Sequence, residues 1–139
     1  RLAVPLLLER KGSIVNISST AGQFGFPYRS PYAAAKWGVI GLTKTWAMEL
    51  GPEGVRVNAI CPGSVSGPRM DGVIEREAAA RGVAPQAIRD AYTHQVSMRS
   101  FIDASDIGEA VVWLASPAAR FVNGQVLAVD GHTETLATV

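Results

Sequence analysis

Three side chains in the first quarter of the chain have types and spacing suited to moving a proton on and off an alcohol oxygen. Tyr32 and Lys36 stand four residues apart, which on a helix places them one turn apart on one face. A phenol titrates near pH 10, too high for base chemistry at neutral pH, but a neighbouring ammonium favours the phenolate. A tyrosine so placed can give a proton to an alcohol oxygen or take one from it. Ser19 precedes Tyr32 by thirteen residues, and its hydroxyl could hold the same oxygen in place. The Tyr-x-x-x-Lys pair alone is a weak signal, because a solvent-facing tyrosine beside a helical lysine reads just as well. The surrounding elements have to decide.

Ser13–Ser18 carries Ile14, Val15 and Ile17 directly after Gly12 and predicts a buried strand. Ser19–Arg29, with Gly22, Gly25 and Pro27, predicts a loop. A helix should follow, with Ser30 as N-cap and Pro31 at its first position, running to about Leu50 and stopping at Gly51-Pro52. Val55–Cys61 predicts a second buried strand, ended by Pro62-Gly63. Two strands joined by such a helix form a parallel, right-handed crossover. Ligands of open parallel sheets bind at the carboxyl ends of the strands. The loop after the first strand and the start of the helix both lie at that edge, so Ser19, Tyr32 and Lys36 are expected to converge there.

Upstream, Leu2, Val4, Leu6, Leu7 and Leu8 form an amphipathic segment ending in Glu9-Arg10-Lys11-Gly12, a helix C-terminus signal. The chain opens at Arg1, without an initiator Met and with nothing to start that helix, which suggests a piece of a longer protein. Downstream, residues 64–100 change character. Two polar helices, Arg69–Arg81 and Pro85–Ser97, are broken at Gly82, and Glu75, Arg76, Glu77, Arg81, Arg89 and Asp90 read as a solvated face. Such an excursion between core elements suits a functional lid. Asp103–Ser116 predicts a helix with Ser105 as N-cap and an apolar stripe of Ile107, Val111, Val112 and Leu114. Gln125–Val129 predicts a third buried strand, closed by Asp130-Gly131. The order amounts to half of a doubly wound α/β sheet.

Composition agrees. The 139 residues are close to one domain, and 47% hydrophobic against 18% charged residues predicts a packed globule. A net charge of +1 without like-charge blocks speaks against nucleic-acid or anionic-membrane partners. One cysteine excludes an internal disulfide framework and a cysteine-based zinc site. His94 and His132 lack partners at ligand spacing, so no metal site is expected. There is no apolar run long enough to span a membrane, and no secretory cleavage pattern, so the expected location is the cytoplasm.

Asn16-Ile17-Ser18-Ser19, the Ser19–Tyr32 spacing, Tyr32-x-x-x-Lys36, Val57-Asn58-Ala59-Ile60-Cys61-Pro62-Gly63, Gly124-Gln125 and Val129-Asp130-Gly131 together resemble the short-chain dehydrogenase/reductase family. The resemblance covers essentially the whole chain. It implies a Rossmann-like oxidoreductase using NAD or NADP, without saying which, and acting on a secondary alcohol/ketone pair. It implies that Ser19, Tyr32 and Lys36 are the catalytic serine, tyrosine and lysine, with Lys36 also holding the nicotinamide ribose. Pro62-Gly63 matches the turn beside the nicotinamide, and Val65 the position whose backbone meets the carboxamide. The threonine often found five residues past that proline is Gly67 here, with Ser66 as the candidate substitute.

The family's glycine-rich dinucleotide fingerprint and its upstream asparagine have no match in these residues. The resemblance therefore implies that residues 1–139 are the C-terminal catalytic and substrate-binding part, with a lid over about 64–100, and that an N-terminal half is missing. Residues 1–139 alone are accordingly expected to bind neither NAD nor NADP with useful affinity. The rival reading is a truncated, non-enzymatic folding or oligomerisation unit. A serine hydrolase is disfavoured, because neither histidine is arranged to serve Ser19 as base.

Other residues fit this frame less tightly. Cys61 reads as a small buried thiol. Phe24, Phe26 and Tyr28 are either the rim of a substrate pocket or loop packing. Arg69 could meet an acidic substrate group, with surface solvation as the plainer role. Trp37, Trp46 and Met48 read as core or subunit-interface residues, and Ala33–Ala35, Gly38 and Gly41 give their helix a small-residue surface. In this family such a helix commonly builds a homo-oligomer, dimer or tetramer, and His132 lies where C-terminal segments reach a neighbouring subunit.

Overall fold

The computed structural model describes residues 2–136. Arg1, at which the first helix was expected to open, lies outside them. The elements are α1 (Val4–Arg10), β1 (Ser13–Ile17), α2 (Ser30–Leu50), β2 (Arg56–Pro62), α3 (Pro68–Arg81), α4 (Pro85–His94), α5 (Ala104–Ala115) and β3 (Val126–Val129). Short 3-10 turns at Thr20–Gly22, Gly51–Glu53 and Pro117–Ala119 link them.

The three strands form one parallel sheet in the order β1-β2-β3, with Ser13 opposite Arg56 and Ala59 opposite Val126. β2 is central, and Val57 through Cys61 are buried, as expected for a parallel strand covered on both faces. Strand alternation sorts the helices. Ile14 and Val57 pack with Leu7, Leu8, Ala47 and Leu50 of α1 and α2, and Asn16 Nδ2 donates to Thr43 Oγ1 of α2 at 2.9 Å. The alternate residues face α5: the Leu114 carbonyl accepts from Arg56 Nη1 at 2.7 Å and from Ser13 Oγ at 3.5 Å. Helices therefore cover both faces, in three layers.

Two asparagines substitute side-chain bonds for strand pairing where the chain enters β3. Asn58, fully buried, donates to the Val122 carbonyl at 2.9 Å and accepts from Gln125 N–H at 3.0 Å. Asn123 accepts from Val57 N–H at 2.8 Å and donates to the Ala47 carbonyl at 3.1 Å. The last apolar cluster is separate: Ile74, Ala78, Ile88 and Tyr92 pack α3 on α4, with Met70 and Phe101 beside them.

Several local expectations change. α2 begins at Ser30 with Arg29 as its N-cap and no side-chain cap bond, so Ser30 is the first helical residue rather than the cap. α5 is capped by Asp103, not Ser105; Asp103 and Asp106 form a reciprocal capping box. α1 ends on Lys11 in the left-handed region (φ 50°), not on Gly12. Gly12 lies close to α1, where a Cβ would sit 2.7 Å from Leu7 Cδ2 and push that side chain aside. α4 stops at His94, where residues 95–98 turn to meet the C-terminal segment through Ser97 N–H to His132 O (2.9 Å) and Glu134 N–H to Gln95 O (2.8 Å). The charged stretch within residues 64–100 is not one solvated face either. Glu77 is bonded to Arg81 and Tyr92, and Arg89 pairs with Asp71 and lies 5.3 Å from the centre of the Phe101 ring.

Candidate active site

At the carboxyl end of β1 the backbone is tied to α2 by two opposed bonds at one residue. Lys36 Nζ donates to the Ile17 carbonyl at 3.2 Å, and Ser18 Oγ donates back to the Lys36 carbonyl at 2.8 Å. Ser18 is buried, and Gly22 lies so close beneath that a Cβ would meet Ser18 Oγ at 2.6 Å and the Lys36 carbonyl at 2.9 Å. Only glycine lets the 3-10 turn settle onto α2 there.

This tie positions the three predicted residues. Ser19 caps the turn, its Oγ accepting from Ala21 N–H at 3.2 Å, which leaves the hydroxyl proton to donate elsewhere. Tyr32 stands in the first turn of α2, 38% exposed, with Lys36 Nζ 5.7 Å from its ring centre. Lys36 has no carboxylate partner among the described residues. An ammonium has three N–H donors, so one is used on Ile17 and two remain. That donor set suits the vicinal hydroxyls of a ribose.

The ends of β2 and β3 complete the edge. Gly63 N–H donates to Val129 O at 3.1 Å, and a Cβ on Gly63 would come within 2.9 Å of Asp130, so the Pro62-Gly63 turn lies flat against β3. Asp130 is buried and its carboxylate accepts from His132 and Thr133 N–H, each at 3.0 Å. Val65 pairs with Ile102, and Ser66 N–H donates to Ile102 O at 2.8 Å, fixing that backbone at the root of the lid. Cys61 shows how closely these ends gather. Burial pushes its thiol up, against hydrogen bonds from the Ser19 backbone and the Ser18 side chain and the charge of Lys36, with Asp130 acting alongside burial. It is a free, buried thiol.

Two open cavities, each about 420 Å³, flank the 24–29 loop. Phe24, Phe26, Pro27 and Leu136 give the first an apolar wall. The second lies between the loop and α3, with Arg29, Arg76, Arg81 and Glu77 in its lining. Phe24, Phe26 and Tyr28 all line cavities, Phe24 the first, Tyr28 the second and Phe26 both, and Tyr28 is 98% exposed at φ 61°. Arg69 lines neither of these cavities, and the arginines that do carried no signal beyond their charge. Ser18 was missed too; nothing marks it from its neighbour Ser19 in sequence. His132 is held within the chain, its Nδ1 2.9 Å from Ser97 Oγ. Trp37, Trp46 and Met48 are exposed and not core. Among the described residues no cluster of three His, Cys, Asp or Glu could hold a metal, and no helix is long and apolar enough to cross a membrane.

Residues 1–132 match the family model for enoyl-(acyl carrier protein) reductase. The chain is 44% identical over 132 residues to trans-4-hydroxycyclohexanecarboxylate dehydrogenase of Sinomonas cyclohexanicum, covering 94% of this chain and 44% of that protein. Among solved structures it is similar to sorbitol-6-phosphate 2-dehydrogenase from Erwinia amylovora, with TM-score 0.86 and 28% identity over 91% of this chain and 51% of that one. It is also similar to the F189W actinorhodin polyketide ketoreductase with NADPH, with TM-score 0.83 and 38% identity over 90% and 48%. The chain spans about half the length of the relatives it matches.

Proposed function

Since the chain belongs to the short-chain dehydrogenase/reductase family, we propose that it forms the catalytic and substrate-binding part of an NAD(P)-dependent oxidoreductase interconverting a secondary alcohol and a ketone. The observation that carries this reading is the opposed pair of bonds joining Lys36 to the end of β1. They hold the lysine ammonium and, one turn earlier, the Tyr32 phenol at the sheet edge where ligands of such folds bind.

Tyr32 moves the proton at its phenol oxygen, giving it to the carbonyl oxygen in reduction and taking it back in oxidation. Ser19 donates its free hydroxyl proton to the same oxygen and holds it in line. Lys36 keeps a positive charge beside the phenol and offers its two unspent N–H groups to the ribose. Pro62, Gly63, Val65 and Ser66 supply the wall against which the nicotinamide rests. When bound, the nicotinamide supplies or accepts the hydride. Residues 64–100 serve as the lid over the substrate. The names of the similar proteins, which cover a cyclic hydroxy acid, a sugar phosphate and a polyketide, agree on an alcohol/ketone pair and not on a skeleton.

The exposed face of α2, where Trp37 and Met48 flank Gly38 and Gly41 with open space above both glycines, supports a homo-oligomeric assembly through this helix. Tyr32→Phe in the intact oxidoreductase tests the proton role. Turnover should fall by roughly 10²–10⁴, and retention of more than about a tenth of the activity would remove Tyr32 from the mechanism.

A further inference from the structure

The second cavity has an unbalanced charge. Arg29, Arg76 and Arg81 line it against a single carboxylate, Glu77. Both oxygens of Glu77 are occupied: Oε1 lies 3.2 Å from Arg81 Nη2, and Oε2 accepts from the Tyr92 hydroxyl at 3.0 Å. Arg81 is thereby neutralised. Arg29 and Arg76 have no carboxylate partner among the described residues. Two guanidinium charges are left over, facing a concave space of about 420 Å³ whose remaining walls include the apolar Phe26, Pro27, Val73 and Ala80.

Both arginines are exposed, and Arg29 has one ring contact. The Arg29 guanidinium lies 5.9 Å from the centre of the Phe26 ring, a cation–π contact that restrains it in the cavity. Arg76 projects from α3 one turn past Gly72, where a Cβ would come within 3.2 Å of Arg76 Nη1. The place matters as much as the charge. Arg29 is the N-cap of α2, its carbonyl accepting from Ala33 N–H at 2.9 Å, and Tyr32 is three residues on in the same turn. Tyr32 does not itself line the cavity, so a molecule held between Arg29 and Arg76 would have to extend past the start of α2 to meet it.

We propose that this cavity recognises an anionic group, a carboxylate or a phosphate monoester, carried by the alcohol substrate, with Arg29 and Arg76 as its ligands. Guanidinium is suited to both, since its planar fork matches either oxyanion with two parallel hydrogen bonds. Phe26, Val73 and Ala80 would cover the carbon skeleton between the anion and the reacting carbon. The proposal rests on the oxidoreductase reading for the alcohol, and on the cavity alone for the anion.

The test uses the intact oxidoreductase at low ionic strength with three alcohols: 4-hydroxycyclohexanecarboxylate, its methyl ester, and 4-hydroxycyclohexyl phosphate. One or both anions should exceed the ester in kcat/KM by about ten- to a hundredfold, as hydrogen bonds to charged groups imply, and which anion leads identifies the group. In Arg29→Gln/Arg76→Gln the anion-to-ester ratio should fall toward one, while Arg69→Gln, outside the cavity, should leave the ratio as it was. Equal turnover of all three alcohols, or a ratio that survives the double substitution, overturns the proposal. Calorimetric titration with cyclohexanecarboxylate and cyclohexyl phosphate, which cannot react, keeps the two readings apart. Binding that depends on Arg29 and Arg76 without turnover of any alcohol upholds the anion site and counts against the oxidoreductase reading. No binding of either anion overturns the site, whatever the turnover.

Discussion

The sheet edge around Lys36 and the α3–α4 lid are held together by different means. In the sheet layer buried Ser18 bonds to the Lys36 carbonyl and half-buried Lys36 to the Ile17 carbonyl at the carboxyl end of β1, while toward the other end of the strands buried Asn58 bonds to the backbone entering β3 and Asn123 to the backbone of β2 and α2. In the lid four buried side chains make a small private core, and the rest is charge contact between partly exposed groups, Arg81 with Glu77 and Arg89 with Asp71. Buried, bonded polar groups fix geometry and are costly to lose, whereas exposed ion pairs contribute little. The proposed reacting groups stand on the first of these regions; of the two proposed selecting groups, Arg76 stands on the second and Arg29 caps the helix that carries Tyr32.

Substitutions can break that contrast. Ile74→Ala, in the private core, should destabilise the lid by about 2–5 kcal/mol and raise KM for substrate while leaving nicotinamide affinity near wild type. A matching loss of nicotinamide affinity would show that lid and sheet are one cooperative unit. Ser18→Ala removes one bond of the tie and should cost about 1–2 kcal/mol in denaturant unfolding, with the loss appearing in kcat because Lys36 and Tyr32 lose their reference. A KM-only effect would contradict the positioning role.

A smaller effect concerns pH. Burial, and then the hydrogen bond and charge of Glu77, push the Tyr92 hydroxyl up to about 12 from its ordinary 10. Because the folded value is raised, the stabilisation by the protonated phenol is complete below pH 10 and is lost as pH climbs through 12. Tyr92→Phe should therefore be less stable than wild type by about 1 kcal/mol at neutral pH. The gap should close between pH 10 and 12, as followed by thermal melting. No gap at neutral pH would mean the hydroxyl bond contributes nothing to this cluster, and a gap that stays constant to pH 12 would mean the contribution does not depend on the protonated phenol.

The two regions also differ in how much of them could be read from sequence. β1, α2 and β2 follow from short, largely apolar runs and a helix bounded by proline and glycine, and the proposal of Ser19, Tyr32 and Lys36 rests on their spacing on those elements together with the family resemblance. What escaped depends on contacts distant in sequence. Ser18 matters because Lys36 of α2 passes over it, and nothing local distinguishes it from Ser19. The left-handed residue that ends α1 is Lys11 and not Gly12, which local sequence does not foretell. Asp103 displaces Ser105 as the cap because Asp106 can return the bond. In the lid, charge reads as solvation until Glu77 is seen holding Arg81 and Tyr92, and only then does the surplus of Arg29 and Arg76 emerge.

The central claim is that one turn of α2 carries both the proton-moving group and the grip on the nicotinamide ribose. Titrating NAD and NADP into the intact oxidoreductase and into its Tyr32→Phe and Lys36→Met variants tests it most directly. Tyr32→Phe loses only an oxygen and should keep most of its dinucleotide affinity, whereas Lys36→Met loses the two free N–H donors and should bind at least about tenfold more weakly. Wild-type affinity in Lys36→Met would contradict the account.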